Sequence, residues 1–482
     1  MPPWNRAALL AGAAAASLLT ACAAVGPNFQ TSTAPGTPGY AMAGDAASKA
    51  PALGAAAEGA GDWWTAFGSP DLDRTIKQAL TDSPTLAVAD ATLLQAREAA
   101  GAQTNAPTGS FNASADRTRI NLAAFGIPGF PSPTVNQYSV GGNIAYDLDL
   151  FGGVRRANEG AGARAEAEAQ HAKAAYLTLT GNVAMAAVRI ATLRAQIAAI
   201  SSVIDEDGKN IEFIRKAEAA GAAAPAAQVS ARAQMVQDQA LLPDLNQQLA
   251  EARHGLALLV GHAPADFTAP DFELGALTLP ARIPVELPSE LVRRRPDILA
   301  AEADLHAATA DIGVQAAKLY PDVKLNAALA QTSLAPEKLF QYEFSGWNFG
   351  PAVSVPIFGR EQLKARQRAA EAAAKAANAR YQQTVISAFT QVADVLSALA
   401  NDEAAVAAQD QARQVAEQDL KNTEFAYQKG GGTLLEVTQA QRRLSETRQA
   451  YALAQGKRYA DAVRLYIATA ADWRRPAQTA ER

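Results

Sequence analysis

The chain has 482 residues, a net charge of −5 and 49% hydrophobic residues. This composition excludes a disordered chain, and the acidic balance disfavours a general nucleic-acid binder, which would carry a basic surface. A single cysteine excludes an internal disulfide and a cysteine-based zinc site, and the four histidines show no metal-ligand spacing. We therefore expect neither a metal nor a conventional cofactor.

The first 21 residues predict a lipoprotein signal peptide. Arg6 precedes an apolar stretch of signal-peptide length, Ala7–Leu19, and two small residues stand directly before Cys22. This is the pattern of a bacterial lipoprotein cleavage box, so we expect Cys22 to become a lipidated N-terminus carrying acyl chains such as palmitate. The alternative is an ordinary signal peptide with an incidental cysteine. No later apolar run reaches about 18 residues, so we predict no further transmembrane helix.

The rest of the chain contains a sequence pattern that occurs twice. Each copy predicts a helix, two strands joined by a loop, a long helix, a glycine turn and a returning helix. The predicted segments are an N-terminal lipid-anchored and equatorial segment at 22–82, a first repeat at 83–260, an equatorial linker at 261–288, a second repeat at 289–470 and a tail at 471–482.

Two long helices dominate the repeats. They are predicted over Val154–Ala220 and Leu363–Lys429, and at 1.5 Å per residue each would be about 100 Å long. Glycines near 221 and 431 predict the turns of two helical hairpins. Pro243 should interrupt the helix that returns from the first turn.

Four segments alternate apolar and polar residues over the length of a transmembrane barrel strand. They are predicted at about 109–120, 137–150, 321–332 and 346–357. The residues assigned to a hydrophilic barrel lumen are Asn143, Asp147, Asp149, Asn326 and Asn348. A soluble amphipathic sheet is the alternative. Four strands cannot close a barrel, and lipid does not tolerate open sheet edges, so a barrel would require several subunits.

Specific motifs occur from one end of the chain to the other. They are Val25–Phe29, Trp63–Leu72, Tyr146–Gly152, Leu287–Ile298, Val355–Gly359 and Tyr427–Gln441. Together they resemble the outer-membrane efflux protein family, the TolC-like channels, and within it the NodT-type lipoproteins of RND efflux systems. The resemblance implies a mainly α fold with a transmembrane β part. In that fold three subunits contribute four strands each to a 12-stranded β-barrel, which a long periplasmic α-helical barrel continues.

The resemblance also implies a function. The chain would be a homotrimeric, lipid-anchored channel of the bacterial outer membrane, and not an enzyme. It would passively conduct small molecules such as drugs, toxic compounds or metabolites from an inner-membrane RND pump and a periplasmic adaptor, as in multidrug resistance. Three alternatives remain: the outer-membrane component of a type I protein secretion system, a non-conducting lipid-anchored helical tether, and a periplasmic enzyme. No nucleophile–base pair or metal cluster in the sequence supports the last.

The hairpin tips are the predicted periplasmic aperture and adaptor contact. They comprise Ala219, Ala220, Gly221 and Ala222 in the first hairpin, and Gly430, Gly431, Gly432 and Thr433 in the second. Many family members carry an acidic residue at the second tip, which this chain lacks. Glu218 and Glu436 lie near the tips and are interpreted as solvated helix charges. We therefore predict an aperture closed by packing and hydrogen bonds.

Three further motifs are given structural interpretations. The segment Lys429–Thr433 has the letters of a phosphate-binding loop in the wrong order, with no strand before it. The segment Asp205–Gly208 begins like a calcium loop but lacks the required glycine and glutamate positions. The arginines at Arg293–Arg295 are interpreted as an exposed helix start rather than an anion site.

Overall fold

The computed structural model describes residues 24–33, 39, 40, 42, 62–121, 126, 131–221, 223–279 and 288–470. Cys22, Ala222, the predicted signal peptide and the predicted C-terminal tail lie outside the described residues. Within the described part, the chain forms nine α-helices and four β-strands, with short 3₁₀ turns between them.

The elements follow one another in the order helix, two strands, long helix and returning helix in each repeat. In chain order they are α1 (Pro70–Asp82), α2 (Pro84–Ala102), β1 (Thr108–Arg119), β2 (Thr134–Asp147), α3 (Gly153–Ala219), α4 (Pro225–Gln239), α5 (Leu242–Val260), α6 (Pro288–Arg294), α7 (Pro296–Ala317), β3 (Asp322–Ser333), β4 (Ser345–Ser354), α8 (Arg360–Gln428) and α9 (Leu434–Thr469).

The long helices α3 and α8 contain 67 and 69 residues. Their ends differ from the predicted ones by three residues or fewer. The helix returning from the first turn is interrupted between Gln239 and Leu242, directly before Pro243, whereas α9 runs without interruption for 36 residues. The two hairpins therefore differ in the continuity of the returning helix.

The described chain divides into two compact units, each assembled from three stretches of sequence. The described residues of unit 1 lie within 24–32, 94–168 and 301–381, and they include the four strands. The described residues of unit 2 lie within 33–93, 169–300 and 382–470, and they include both hairpin turns. Both repeats contribute to each unit, because the long helices pass from one unit into the other.

The strands of unit 1 form one antiparallel sheet in the order β1-β2-β3-β4. Alternate residues along each strand point to opposite faces, so the register decides which side chains share a face. Large apolar side chains of one face are exposed, among them Phe111, Ile144, Trp347 and Phe349. Exposed apolar surface of this extent marks a face that meets lipid or another apolar partner.

The core of unit 2 is helical and rests on an aromatic cluster. Trp63 stacks on Tyr466 with ring centroids 5.2 Å apart, and its Nε1 donates a 3.4 Å hydrogen bond to Thr180 Oγ1. Alanine and valine side chains of the middle part of α3, such as Val183 and Ala187, are fully buried in this core. Small side chains allow the helices to approach closely, which explains the high alanine content.

One 18-residue window of α3 is apolar enough to span a membrane by composition, and half of it is buried. Because this window qualifies on length and composition alone, the expectation of no further transmembrane helix stays a prediction. Because Val183, Val188 and Ile190 pack in the core of unit 2, the structure explains these apolar residues as core residues.

Candidate functional site

One row of register partners carries polar side chains on three of the four strands of the sheet. Ser110 is the register partner of Asn143, which is opposite Ala328, which in turn is opposite Asn348. Ser110 Oγ donates a 2.5 Å hydrogen bond to Asn143 Oδ1. Register partners share a face, so Ser110, Asn143 and Asn348 lie on one face, with Ala328 between the two asparagines.

A second polar row lies nearer the helices. It contains Asn326, opposite Ala145 and Gly350, and next to it Asp147 lies opposite Lys324. Four of the five residues assigned to a hydrophilic lumen, all except Asp149, thus lie in strands on one face of the sheet. That this face lines a lumen remains a prediction.

The assignment of Asp149 to this face is wrong. β2 ends at Asp147, and Asp149 lies in the following turn with φ of +43°. Its carboxylate accepts hydrogen bonds of 2.8 and 2.9 Å from the backbone N–H groups of Val154 and Arg155 at the start of α3. Asp149 is therefore a capping residue, because the free N–H groups and the dipole of a helix N-terminus favour a carboxylate.

The segment that follows Cys22 is docked in unit 1. Val25 donates a 3.0 Å backbone hydrogen bond to the carbonyl oxygen of Phe151, just beyond β2. The guanidinium of Arg156, which is 5% exposed, donates to the carbonyls of Val25 and Gly26 and to Asn28 Oδ1. One buried arginine thus fixes three residues of the N-terminal segment at the start of α3.

Two further contacts complete this docking. Phe29 stacks on His306 of α7 with ring centroids 4.3 Å apart. His306 Nε2 lies 2.9 Å from Glu159, which also accepts a 2.7 Å hydrogen bond from Arg156. Gly313 of α7 leaves no room for a side chain, because a Cβ there would stand 2.8 Å from the carbonyl oxygen of Val25. The segment is therefore held against both α3 and α7.

The first hairpin turns at Gly221. α3 ends at Ala219, and the N–H groups of Ala220 and Gly221 donate to the carbonyls of Lys216 and Glu218. Gly221 has φ of +71°, and α4 then begins at Pro225. Of the residues predicted at this tip, the structure places all except Ala222.

Hydrogen bonds within the turn stabilise the tip of the second hairpin. Gly430 has φ of +76°, a conformation that glycine adopts without strain, and Gly431 donates a 2.9 Å hydrogen bond to the carbonyl of Ala426. Thr433 and Glu436 form a capping box at the start of α9. The carboxylate of Glu436 accepts from the Thr433 N–H at 2.6 Å, and Thr433 Oγ1 accepts from the Glu436 N–H at 3.3 Å.

Glu436 is exposed, which agrees with its interpretation as a solvated helix charge, and the capping box gives it a second role. Its hydrogen bonds with Thr433 hold the pKa of the Glu436 carboxyl below its usual value. The interaction is therefore present above that usual value and is lost as the pH falls through the lowered pKa. At neutral pH, Glu436 is ionised and bound to the backbone of its own turn.

Aromatic packing connects the two hairpins behind the tips. The rings of Phe213 on α3 and Tyr427 on α8 form a T-shaped pair with centroids 5.6 Å apart. Tyr427 also packs on a small apolar core formed by the second hairpin, which includes Leu420 and Leu444. Packing and local hydrogen bonds thus both occur at the predicted aperture.

Two uncharged variants of Glu436 can distinguish the effect of its hydrogen bonds on the aperture from the effect of its charge. Glutamine can replace glutamate in a capping box, whereas alanine cannot. We expect Glu436→Gln to leave single-channel conductance in planar bilayers unchanged, and Glu436→Ala to raise it by freeing the tip. Equal effects of the two variants on conductance or cation selectivity would show that charge controls the aperture.

The third arginine of Arg293–Arg295 is buried, which corrects its interpretation as part of an exposed helix start. Arg295 is 7% exposed and binds Asp297 through two hydrogen bonds of 3.0 and 2.6 Å. It also donates to the carbonyl oxygen of Ala468 at 2.7 Å and to Gln391 Oε1 at 3.0 Å. A single side chain therefore ties the start of α7 to α8 and α9.

Sequence and structure comparisons agree with this architecture. The family model described as outer membrane efflux protein matches residues 75–262 and 287–471. The chain therefore belongs to the outer membrane efflux protein family, which confirms the predicted resemblance.

Individual relatives match nearly the whole chain. It is 29% identical to the pyoverdine export outer membrane protein OpmQ of Pseudomonas aeruginosa, over 85% of this chain and 87% of that protein. It is 25% identical to the probable outer membrane lipoprotein SilC of Salmonella typhimurium, over 95% of this chain and 97% of that protein. The solved outer-membrane channel OprN shares 27% identity, with a TM-score of 0.82 over 93% of this chain and 99% of that one. The chain is an outer-membrane efflux component with a TolC-like fold.

Proposed function

We propose that the chain forms a homotrimeric channel that passively conducts small molecules from an inner-membrane pump and a periplasmic adaptor across the outer membrane. Three sheets of four strands would close into a 12-stranded barrel, and the long helices would form a periplasmic tunnel. The channel would make or break no bond. The energy for export would come from the pump.

The observation that carries this proposal is the two-faced sheet with free edges. One face carries polar side chains from all four strands, and the other exposes large apolar side chains such as Phe111 and Trp347. β1 and β4 are not neighbours in the sheet order, and lipid does not tolerate unpaired edge strands. Pairing β1 of one subunit with β4 of the next satisfies both edges and directs the polar rows towards a common lumen.

The lengths of α3 and α8 suit a tunnel that extends from the outer membrane into the periplasm. With 67 and 69 residues, α3 and α8 would each extend about 100 Å. The hairpin tips at Gly221 and Gly430 would then form the periplasmic mouth and the contact with the adaptor. Membership of the efflux family and the likeness to OpmQ and SilC support this partnership.

The docked N-terminal segment supports lipidation of Cys22. A Cβ on Gly152 would stand 2.4 Å from the Ala24 side chain, so Ala24 lies against the turn between β2 and α3. Cys22 is two residues away, within about 7 Å along an extended chain. Acyl chains on Cys22 would therefore enter the membrane at the level where the strands end.

Two measurements on protein extracted from outer membranes test the proposal. Electron microscopy should show a threefold particle with a hollow axis, and reconstitution into planar bilayers should give stable single-channel conductance. A particle with no detergent belt would contradict the barrel. A threefold particle without conductance would favour a lipid-anchored tether, and passage of protein substrates would favour a type I secretion component.

Removing the cysteine should separate lipid attachment from channel assembly. We expect Cys22→Ala to lose the acyl mass at the N-terminus and the incorporation of labelled palmitate, while trimers still insert through their strands. Intact-mass spectrometry and outer-membrane fractionation measure these two effects. An unacylated Cys22 in the unaltered protein would contradict the lipoprotein assignment.

A further inference from the structure

Two buried aspartates face each other across the first helical hairpin. Asp207 lies twelve residues before α3 ends at Ala219, and Asp238 lies thirteen residues after α4 begins at Pro225. The antiparallel helices therefore bring both residues to the same level, about 18 Å from the tip. The carboxyl group of Asp238 is a close enough neighbour to act on the ionisation of Asp207.

One carboxylate oxygen of the pair, Oδ2 of Asp207, lacks a hydrogen-bond donor. Asp207 is 4% exposed and Asp238 is 9% exposed. Gln234 Nε2 donates a 2.9 Å hydrogen bond to Oδ2 of Asp238, whereas Oδ2 of Asp207 is buried without a partner. Two ionised carboxylates would only repel each other here. One proton on Asp207 would supply the missing donor and remove one of the two charges.

The charges around the pair do not neutralise it. Glu206 of α3 adds a further negative charge that acts on Asp207. Arg448 of α9 lies 3.7 Å from Glu206 and 3.7 Å from Glu417 of α8, so two other carboxylates already share its charge. Burial and the charge of Glu206 also raise the pKa of Glu424 on α8.

The second hairpin contains a similar pair with a different charge balance. Asp402 of α8 and Asp461 of α9 are each 1% exposed, and each has an Oδ2 without a partner. Lys457 Nζ lies 3.1 Å from Asp402, and Arg464 Nη1 lies 2.7 Å from Asp461. Burial and the neighbouring carboxyl of Asp461 still raise the pKa of Asp402, although Lys457 opposes this shift. Among the described residues, no lysine or arginine forms an ion pair with either aspartate of the first hairpin.

We propose that Asp207 and Asp238 form a proton-binding site that ties α3 to α4, with one proton shared between the two carboxyl groups. Asp207 carries the proton and donates it in a hydrogen bond to Asp238. Loss of the proton leaves two buried negative charges in contact, which loosens the first hairpin. The segment Asp205–Gly208, which begins like a calcium loop, thus contributes to a proton site. Within the described residues, no group of three or more potential ligands is placed to hold a metal ion.

The direction of the pH dependence follows from the burial of the pair. Burial, reinforced by the neighbouring carboxyl of Asp238, raises the pKa of Asp207 to about 7. When the helices separate, the pKa returns towards its ordinary value of about 3.9. The closed contact is therefore most stable in acid and weakens as the pH rises to about 7. We expect the opening equilibrium to increase by up to about tenfold per pH unit between pH 5 and 7, and to level off above.

Amide hydrogen exchange on the full chain in detergent measures this opening. After correction for the intrinsic pH dependence of exchange, amides of α3 around Asp207 should lose protection between pH 5 and 7. The variant Asp207→Asn keeps the shape of the protonated side chain and should remove this pH dependence. Asp205→Asn is the matched control, because Asp205 is exposed two residues away, and it should behave like the unaltered protein.

Infrared spectroscopy detects the proton directly. A C=O stretch of protonated carboxyl groups should be present at pH 6, and the part of this band that disappears on titration through pH 7 should be absent from Asp207→Asn. Three results would overturn the proposal: no such band in the unaltered protein, a pH dependence of exchange that persists in Asp207→Asn, or restoration of protection at pH 8 by calcium. The last would identify a metal site.

The inference rests on the proposed function only for its setting, a periplasmic helical hairpin that forms part of a channel mouth. Both measurements use purified protein without a membrane potential, pump or substrate. A protein that conducts nothing would still show the titrating carboxyl group if the pair holds a proton. The two proposals can therefore fail independently.

Discussion

Replacing Ala327 with arginine is expected to abolish stable insertion, because this side chain lies on the apolar face near the middle of β3. Its register partners are Ile144 and Phe349, and both are exposed apolar side chains. Arginine on the lipid face near the bilayer midplane costs about 2–4 kcal/mol. In a trimer the cost occurs three times, about 6–12 kcal/mol if the contributions add.

The neighbouring position provides the matched control. Ala328 lies between Asn143 and Asn348 in a polar row. The variant Ala328→Arg should therefore assemble normally, and its three added positive charges should lower cation conductance. Trimer yield in outer-membrane fractions and single-channel recording measure these outcomes. If Ala328→Arg were the variant that failed to insert, the assignment of the two faces would be reversed.

Replacing Arg295 with leucine should be the most damaging single change in the helical part. The variant loses four hydrogen bonds and leaves the carbonyl of Ala468, a 5% exposed residue, without its partner. Asp297 is partly exposed, so water can solvate it, and this limits the cost. We expect a loss of about 3 kcal/mol in the free energy of unfolding of this region.

Two further variants make the Arg295 prediction specific. Lysine cannot form the planar two-bond contact with Asp297, so Arg295→Lys should show an intermediate loss. Arg293 is exposed, and Arg293→Leu should have little effect. Heat-induced loss of helical circular dichroism gives the order of stability. Equal midpoints for Arg293→Leu and Arg295→Leu would contradict a role for the buried contacts.

The helices and strands could be predicted because each depends on a local signal. Long stretches without proline predicted α3 and α8 to within three residues of their ends. Period-two alternation located all four strands, although β4 ends at Ser354, three residues before the predicted end. Local geometry explains this success, since side-chain periodicity reports the backbone conformation directly.

The roles of single polar residues could not be predicted in the same way. Asp149 continues the alternation of β2, but the turn before α3 uses its carboxylate as a helix cap. Arg295 is one of three consecutive arginines, and only the fold shows that it alone is buried. The pairing of Asp207 with Asp238 depends on the register of a hairpin, which sequence separation does not reveal.

Glycines in the sequence located the two hairpin tips. The interactions that stabilise these turns could be predicted only in part. Hydrogen bonds and packing were expected there, and Glu436 was interpreted only as a solvated helix charge. The spacing of Thr433 and Glu436 is the sequence signature of a capping box. That signal was present in the sequence and would have identified the role of Glu436.

The interrupted helix that returns from the first turn gives the two repeats different mechanical properties. A continuous helix resists bending through its unbroken series of backbone hydrogen bonds, whereas a break concentrates bending at one point. The first hairpin can therefore bend at residues 240–241, whereas the 36 residues of α9 form a continuous helix that resists bending. A force applied at the hairpin tips would bend the first hairpin near residues 240–241. In the second hairpin, the same force would be transmitted along α9 to its far end.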